Sequence, residues 1–328
     1  VYDGDLSTAD VVPISAQRNE PGARPVSPTQ IQTWAACPHA YFVQDLLGVR
    51  PLDEPEGQIS INALDRGSLQ HDVLDRLHRD VLDGRLPQPT TTGWTDDHLA
   101  ALLAHFDDEC ERAEHTGRTG RPAAWASDRE RMRRDLLGWF ERDSARIVAN
   151  GATILASEFE FSSGDADSPT VELDLGDGRR LAVRGQVDRL DRWADGRVVV
   201  TDHKTGRSTA YRKLGPADPT LDGSVFQLPV YAAAALGRID DDAGSEPIVR
   251  AEYSMFERGR YERIGFDFSE EVWADVIDHL RRVVDGIEGG WYPQLPDRPG
   301  FRMFVGCHFC EPDGLGTDDA FERWSRKQ

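Results

Sequence analysis

The sequence predicts an α/β fold, in which a sheet of several strands is flanked by amphipathic helices. Strand-length runs, either alternating or wholly apolar, recur between residues 153 and 204 and again between 248 and 268. Segments with apolar residues at three- and four-residue spacing precede the first group and follow the second. The chain has 328 residues, of which 39% are hydrophobic, so it can build one large domain or two modest ones.

The composition limits the class of partner. The formal net charge is -20, from 38 basic and 58 acidic residues. This balance disfavours a general polyanion-binding surface, because non-specific nucleic-acid affinity comes from Lys and Arg displacing counterions. Any nucleic acid must therefore be held locally or delivered by another module.

The chain carries no sign of a membrane or secretory role. No apolar run approaches a membrane span, and no signal peptide opens the sequence. We therefore expect a soluble, cytoplasmic protein without a membrane partner. The first residue is Val, which indicates a processed chain or a piece of a longer polypeptide.

The N-terminal part is predicted to be a tail followed by a helix. Residues 1–26 are polar and lack periodicity, as is typical of a linker. Ser27 is an N-cap, Pro28 suits the first helical position, and Gln30 completes a capping box. This helix is predicted to end at Cys37, before a second aromatic and apolar segment.

Three longer helices are predicted over about 65–150 and form a helical insertion ahead of the sheet. The first follows Asp65–Ser68, and its apolar stripe repeats every four residues: Leu69, Val73, Leu77 and Val81. The second is capped at Thr95. The third is predicted to begin at a capping box made by Ser127 and Glu130.

Strand patterns cover residues 153–161, 170–175 and 181–190. The last of these continues through a turn at Ala194–Gly196 into the apolar run Val198–Val200, which predicts a hairpin.

Beyond this hairpin, a helix is predicted to open at Gln227. Two strands, over 248–256 and 261–268, and a helix capped by Ser269 follow it.

The end of the hairpin carries the residues best suited to chemistry. Because strand side chains alternate, Asp202 and Lys204 share one face and His203 points to the other. The hairpin can also bring Asp188 beside Asp202. Two carboxylates without their own counterions favour a divalent metal, Mg²⁺ or Mn²⁺. Lys204 could then hold an anionic substrate or an attacking water.

A solvated strand end is the alternative interpretation of this Asp-x-Lys triplet. Among the 38 basic residues, however, the only lysines are Lys204, Lys213 and Lys327. A compact ammonium is not interchangeable with a guanidinium fork. Its use at position 204 therefore favours a chemical role.

The hairpin residues also carry a resemblance to a known family. The pattern G-x-x-D-R-x-D followed by V-x-D-x-K-T-G resembles the PD-(D/E)XK nucleases, specifically the RecB/AddB-type exonuclease domain of bacterial helicase-nucleases. The matching positions are Gly185, Asp188, Arg189, Asp191, Asp202, Lys204, Thr205 and Gly206. The opening pattern S-P-T-Q-I-Q-T-W-x-x-C-P-x-x-Y-F is similar as well, and several weak motifs occur in the expected order.

The resemblance covers residue 27 to the C-terminus. It implies a restriction-endonuclease-like core with a mixed β-sheet flanked by helices, a catalytic sheet core over about 151–290, and a Cys-containing return over 291–328. It also implies metal-assisted hydrolysis of DNA, on a single-stranded end fed by a helicase module in the same chain or in a partner. The alternative is a nuclease-like domain that no longer cuts and serves as a structural or DNA-guiding module.

The resemblance further implies a ligand set for the metal. His71, the histidine of G-x-x-x-H, would join Asp188 and Asp202, with the backbone carbonyl of His203 as a further ligand. The family often carries an acidic residue at the position of Glu158, although a strand-surface glutamate accounts for it almost equally well.

Other residues would handle the substrate. Lys204 would orient or polarise the attacking water and stabilise charge on the phosphate. Gln227 and Tyr231 lie on one helical face, and Q-x-x-x-Y resembles the family motif that flanks the site and the nucleic acid. The basic residues of the intervening segment are Arg207, Arg212 and Lys213. They either grip phosphates or belong to a solvated loop.

The cysteines leave three interpretations open. Cys37, Cys307 and Cys310 resemble three of the four ligands of the 4Fe-4S cluster found in many relatives, but the last expected Cys falls at Gly316. An intact four-cysteine cluster is therefore disfavoured. A cluster with an outside ligand, a different metal site, or an empty site held by packing are the alternatives. Candidates for the fourth ligand of a different site are His308, Asp313 and Asp318.

Overall fold

The structure, a computed structural model, describes residues 5–7, 25–49, 59–162, 170–237 and 248–293. The helices are α1 (Pro28–Ala36), α2 (Pro38–Tyr41), α3 (Ala63–Leu82), α4 (Asp96–His115), α5 (Pro122–Asn150), α6 (Gln227–Leu236) and α7 (Glu270–Glu288). The strands are β1 (Thr153–Phe161), β2 (Val171–Asp174), β3 (Arg180–Val183), β4 (Gly185–Arg192), β5 (Val198–Lys204), β6 (Val249–Glu257) and β7 (Arg260–Asp267). No described helix combines the length and apolar character needed to cross a membrane.

Five of these strands form a mixed sheet in the order β1-β4-β5-β6-β7. The β1–β4, β4–β5 and β6–β7 pairs are antiparallel, whereas β5 and β6 are parallel and are connected through α6. Strands β2 and β3 form a separate two-stranded sheet. The expected mixed sheet flanked by helices is confirmed.

The two faces of the sheet pack against different helices. On one face, α3, α4 and α5 enclose a core that includes Leu77, Phe106 and Leu136. On the other face, α1, α6, α7 and the small sheet enclose a second core that includes Val200 and Leu280. The hairpin of β4 and β5 therefore lies in the middle of a three-layer structure.

The helix starts agree with the sequence at α1 and differ at α3 and α5. Ser27 and Gln30 form the expected capping box. Helix α3 begins earlier than Asp65, because the side chain of Asn62 accepts a hydrogen bond from the Asp65 amide and serves as the cap.

Helix α5 also begins earlier than predicted. Pro122 occupies its first turn, where a missing N–H costs nothing, so Ser127 lies inside the helix and is not its cap. The C-terminal end agrees with the sequence, because Gly151 adopts the left-handed conformation that closes many helices.

The single strand predicted over 181–190 is wrong: β3 and β4 belong to different sheets. The break falls at Arg184, whose amide donates to the carbonyl oxygen of Val26 at 3.0 Å. Gly185 then opens β4 against Phe161, and a Cβ there would lie 2.8 Å from the Phe161 ring. The alternation of apolar and polar residues continues across Arg184. The sequence pattern therefore does not show that the chain passes from one sheet to the other at this point.

Candidate metal centre

Three side chains from three elements converge at one end of the sheet. His71 of α3, Glu158 of β1 and Asp188 of β4 present ligand atoms that all lie within 4.8 Å of one another. Carboxylate oxygens and an imidazole form a donor set that suits Mg²⁺ or Mn²⁺. The donor set of this group therefore fits a divalent metal.

Helix α3 places His71 at the edge of its buried stripe, with 27% of the side chain exposed. The His71 Nδ1 atom lies 3.4 Å from Asp188 Oδ2. Burial opposes the charged imidazolium, but the neighbouring Asp188 carboxylate outweighs it and raises the pKa of His71 to about 9. One turn earlier, Gly67 lies near Thr205, which follows β5.

Glu158 reaches the site through an unusual backbone conformation. Its φ of 45° is left-handed, which is uncommon for a residue with a side chain. Ala156 and Phe159 both pack in the core on the α6 side, so the strand's alternation is interrupted between them. Burial and the Asp188 carboxylate raise the pKa of Glu158 to about 8, while His71 opposes this shift.

Asp188 is held by the hairpin itself. In the antiparallel register it lies opposite Glu158, between the pairs Ser157–Arg189 and Phe159–Val187. Its Oδ2 atom accepts a hydrogen bond from the His203 amide at 2.5 Å. The carboxylate therefore has a fixed position relative to the end of β5.

Asp202 and Lys204 lie on the α6 side of β5 and form an ion pair, with Lys204 Nζ 2.6 Å from Asp202 Oδ2. The expectation that the carboxylates lack counterions is therefore wrong for Asp202. Burial raises the pKa of Asp202, and the Lys204 ammonium opposes that shift. Asp202 lies outside the 4.8 Å group but close enough to affect the pKa of His71.

Two tyrosine side chains lie near Lys204. The ammonium lies 5.3 Å from the centroid of the Tyr253 ring, which in turn lies 4.6 Å from that of Tyr211. Burial alone would lower the pKa of Lys204, but Asp202 outweighs it and raises that pKa. Neither tyrosine was predicted, because only the parallel pairing of β6 with β5 brings Tyr253 beside Asp202.

Gln227 and Tyr231 are neighbours on α6 and face this region. Tyr253 donates to Gln227 Oε1 at 3.4 Å, and the Tyr231 ring stands edge-on to Phe161. Burial and the nearby carboxylate of Asp202 raise the pKa of Tyr231. Their role with substrate stays a prediction.

His203 points to the opposite face of β5, as alternation predicts. Its buried ring lies 6.1 Å from the rings of His71 and His78, measured between centroids, and 5.8 Å from that of Trp139. The backbone carbonyl of His203 as a metal ligand stays a prediction.

The basic segment after β5 is only partly neutralised. Arg212 lies 3.3 Å from Glu262, whereas Arg207 and Lys213 are exposed and form no ion pair with any described residue. Phosphate binding by these residues stays a prediction.

The cysteine site falls largely outside the described residues. Cys37 is buried between α1 and α2 with 4% of its surface exposed. The remaining candidates, Cys307, Cys310, His308, Asp313 and Asp318, lie outside the described ranges, as does Gly316. An iron-sulfur cluster or other metal there stays a prediction.

Arg189 has a structural role that the motif pattern did not reveal. Its fully buried guanidinium lies 2.8 Å from both Asp143 and Asp191. Arg146 and Arg263 extend the same ion-pair network to Glu252 on β6. The network ties α5 to three strands beside the candidate metal centre.

Comparison with known proteins identifies the family. The family model described as the PD-(D/E)XK nuclease superfamily matches residues 25–313. The chain belongs to this superfamily. Its five-stranded mixed sheet with helices on both faces is consistent with the restriction-endonuclease-like fold of PD-(D/E)XK nucleases.

Several similar proteins are each named as a subunit of an ATP-dependent helicase/deoxyribonuclease. The protein of Moorella thermoacetica is 26% identical over 219 residues, which cover 64% of this PD-(D/E)XK chain and 18% of that protein. The Clostridium tetani protein is 22% identical over 236 residues, which cover 67% of this chain and 18% of that protein. A Clostridium perfringens protein is 23% identical over 264 residues, which cover 78% of this chain and 21% of that protein. The chain thus spans about a fifth of the length of these relatives.

Proposed function

We propose that this chain is a divalent-metal-dependent deoxyribonuclease that hydrolyses phosphodiester bonds. The observation that carries the proposal is the convergence of His71, Glu158 and Asp188 within 4.8 Å, beside the Asp202–Lys204 ion pair. The pKa values of His71 and Glu158 are both raised. Perturbed pKa values of this kind are common at functional sites.

The substrate in this proposal is a single-stranded DNA end, cut exonucleolytically during recombination and repair. The name shared by the similar proteins supports a deoxyribonuclease that works with a helicase. A helicase module in the same polypeptide or in a partner would deliver the strand. This delivery also suits a chain with a net charge of -20, which disfavours a general polyanion-binding surface.

The metal would be held by the carboxylates of Glu158 and Asp188 and the neutral imidazole of His71, with Asp202 and the His203 carbonyl as further ligands. When bound, Mg²⁺ or Mn²⁺ supplies Lewis-acid charge to the phosphate and lowers the pKa of water.

Lys204 would act on the reacting groups themselves. Its ammonium is held by Asp202 on one side and lies near the Tyr253 ring on another. From that position it would orient the attacking water and stabilise negative charge that develops on the phosphate oxygens. Charge that is fixed before the reaction needs no reorganisation during it.

Gln227 and Tyr231 would position the strand. They stand one turn apart on α6, on the same side of the sheet as Lys204. A correctly placed phosphate reacts faster because its orientation is fixed before the chemical step.

The test is digestion of end-labelled single-stranded DNA with Mg²⁺ or Mn²⁺ by the 328-residue chain. Asp202→Ala and Lys204→Ala are each expected to lower the rate by at least about a hundredfold. The matched control is Asp278→Ala on α7, whose side chain is 59% exposed. The control should digest DNA at the wild-type rate.

Two results would overturn this assignment. Equal digestion by wild type and both variants would show that the activity does not depend on these residues. No digestion by wild type with either metal would favour the alternative, a nuclease-like structural or DNA-guiding module of a helicase complex.

A further inference from the structure

A cavity of about 260 Å³ lies on the α5 side of the sheet and has no role in the site described so far. Its wall on α5 is formed by Trp139, Arg142 and Arg146, which fall on one helical face. Its floor is the β6–β7 hairpin, including Ser254 and Arg263.

The cavity is a neighbour of the metal centre. Ser254 pairs with His203 in the parallel register of β5 and β6. Adjacent strands are about 4.8 Å apart, so the floor begins one strand from the end of β5. The His203 ring also lies between the two, 6.1 Å from His71 and 5.8 Å from Trp139 between centroids.

The cations of this cavity are not all neutralised. Two carboxylates line its wall: Asp143 already binds Arg189 and Arg263, and Glu262 lies 3.3 Å from Arg212. Arg142 is exposed, lies 4.4 Å from the centroid of the Tyr261 ring, and forms no ion pair with any residue in the described ranges. A guanidinium on an aromatic face keeps its N–H groups free for an anionic ligand.

A second observation points to a missing acceptor. Trp139 is only 2% exposed, yet its Nε1 donor has no hydrogen-bond partner within the described part of the chain. Buried donors are almost always paired. Since Trp139 lines the cavity, an oxygen of a bound ligand would supply the acceptor.

A smaller cavity of about 20 Å³ continues toward the end of β5. The two cavities share Met255 and Glu262 in their walls. The smaller one is also lined by Gly206, Arg207 and Arg260, in the loop after β5 and at the start of β7. The two therefore form one groove between Arg142 and Arg207.

We propose that this groove holds the phosphodiester backbone of the single strand next to the metal centre, with Arg142 as the outer phosphate contact. The proposal rests on the proposed function, because it adds the path of that enzyme's substrate. Cations beside aromatic rings are the usual means of holding a single strand.

The test measures binding of a fluorescein-labelled oligothymidylate of about 12 nucleotides by anisotropy, in EDTA so that no cleavage occurs. The Arg142→Ala variant of the 328-residue chain is expected to bind several-fold more weakly and to lower the salt-dependence slope by about one. Arg142→Lys, which keeps the charge, should retain the slope. Arg133→Ala is the matched control, because Arg133 is exposed on the same helix about two and a half turns away, on the opposite face.

Equal affinities of Arg142→Ala and Arg133→Ala for the oligonucleotide would contradict strand binding in this groove. The absence of binding by wild type at low salt would contradict it as well. Inorganic phosphate displacing the oligonucleotide far better than chloride at equal ionic strength would also overturn it, in favour of a small-anion site. Binding is read without turnover, so the two proposals can fail separately. A chain that binds through Arg142 but never cuts DNA would overturn only the nuclease.

Discussion

Glu158 shows how the position of one side chain can depend on a single backbone torsion. In a regular strand it would share a face with Glu160, but its left-handed φ of 45° is associated with a place beside His71 and Asp188. Such conformations cost on the order of 1–3 kcal/mol and are concentrated at functional sites. The free energy stored here is consistent with the proposed role as a ligand.

Metal binding is expected to release protons, because the pKa values of Glu158 and His71 are raised to about 8 and about 9. At neutral pH both groups carry a proton that a bound cation must displace. Affinity for Mn²⁺ should therefore rise with pH up to about 9, by up to about tenfold per unit for each displaced proton. Calorimetry in two buffers of different ionisation enthalpy gives the number of protons released.

The strand supplies its own control for this experiment. Glu158→Gln should bind Mn²⁺ at least about tenfold more weakly and release fewer protons, since one anionic ligand is gone. Glu160→Gln, at an exposed position two residues along the same strand, should behave as wild type. Affinity that is constant across this pH range would contradict the ligand assignment.

Sequence reasoning reached part of this site for clear physical reasons. Asp188, Asp202 and Lys204 come from one local hairpin, whose geometry follows from alternation and turn residues. His71 and Glu158 were reached only through the family resemblance. Nothing in a strand pattern reports a left-handed φ.

At the scale of elements, two helix glycines differ in the space beside them. A Cβ at Gly138 in α5 would lie 1.9 Å from the Tyr261 hydroxyl, whereas one at Gly67 in α3 would make an ordinary 3.4 Å contact with Thr205. Overpacking lowers the free energy of unfolding by about 1–3 kcal/mol. Replacing Gly by Ala inside a helix raises it by about 1 kcal/mol where the methyl group fits. We expect Gly138→Ala to destabilise and Gly67→Ala to stabilise, each by about 1 kcal/mol, in urea unfolding.

Removing the obstacle provides the check. In a Tyr261→Ala background, Gly138→Ala should become stabilising by about 1 kcal/mol, because the clashing ring is gone and only the helix preference for Ala remains. Stabilisation by Gly138→Ala in the wild-type background would show that the ring moves aside freely.

The ends of helices and strands were predictable where the signal for the boundary lies within a few residues of it. Ser27 and Gln30 mark the start of α1 by chemistry that acts within one turn. The division of the 181–190 strand could not be read in this way, because it depends on Val26, a residue far away in the chain that bonds to both sides of the break.

At the scale of the whole molecule, a buried ion-pair network links the helical layer to the sheet. Burial alone would raise the pKa of Glu252, but Arg146 and Arg263 outweigh it and lower that pKa to about 2. The unfolded value is about 4.3, so this group stabilises the fold above that pH and the contribution is lost as pH falls toward 2. The lost free energy of unfolding is about 3 kcal/mol.

Denaturation at a series of pH values tests this contribution. Glu252→Gln should lower the free energy of unfolding by about 3–5 kcal/mol at neutral pH, because Arg146 and Arg263 lose a buried partner. Its loss of stability between about pH 4.3 and 2 should also be smaller than that of wild type. Glu130→Gln, which removes an exposed ion pair of α5, should change stability by less than about 1 kcal/mol. Identical acid profiles for wild type and Glu252→Gln would contradict the stabilising role of the network.

The order of helices and strands along the chain was predictable, since each element carries its own periodicity. The arrangement of the strands was not. Parallel pairing of β5 with β6 is set by the crossover through α6, and no local pattern near Tyr253 indicates which strand lies beside it. The network around Arg189 was hidden for the same reason, because its partners come from distant elements.

The Asp202–Lys204 contact has a consequence for the resting protein. A pocket made of acids alone would repel itself and would rely on an external cation to hold its shape. Here the ammonium of Lys204 lies 2.6 Å from Asp202 and takes the place of an external cation. The acidic pocket would therefore keep its shape before a divalent ion arrives, with Lys204 already in place to face the substrate.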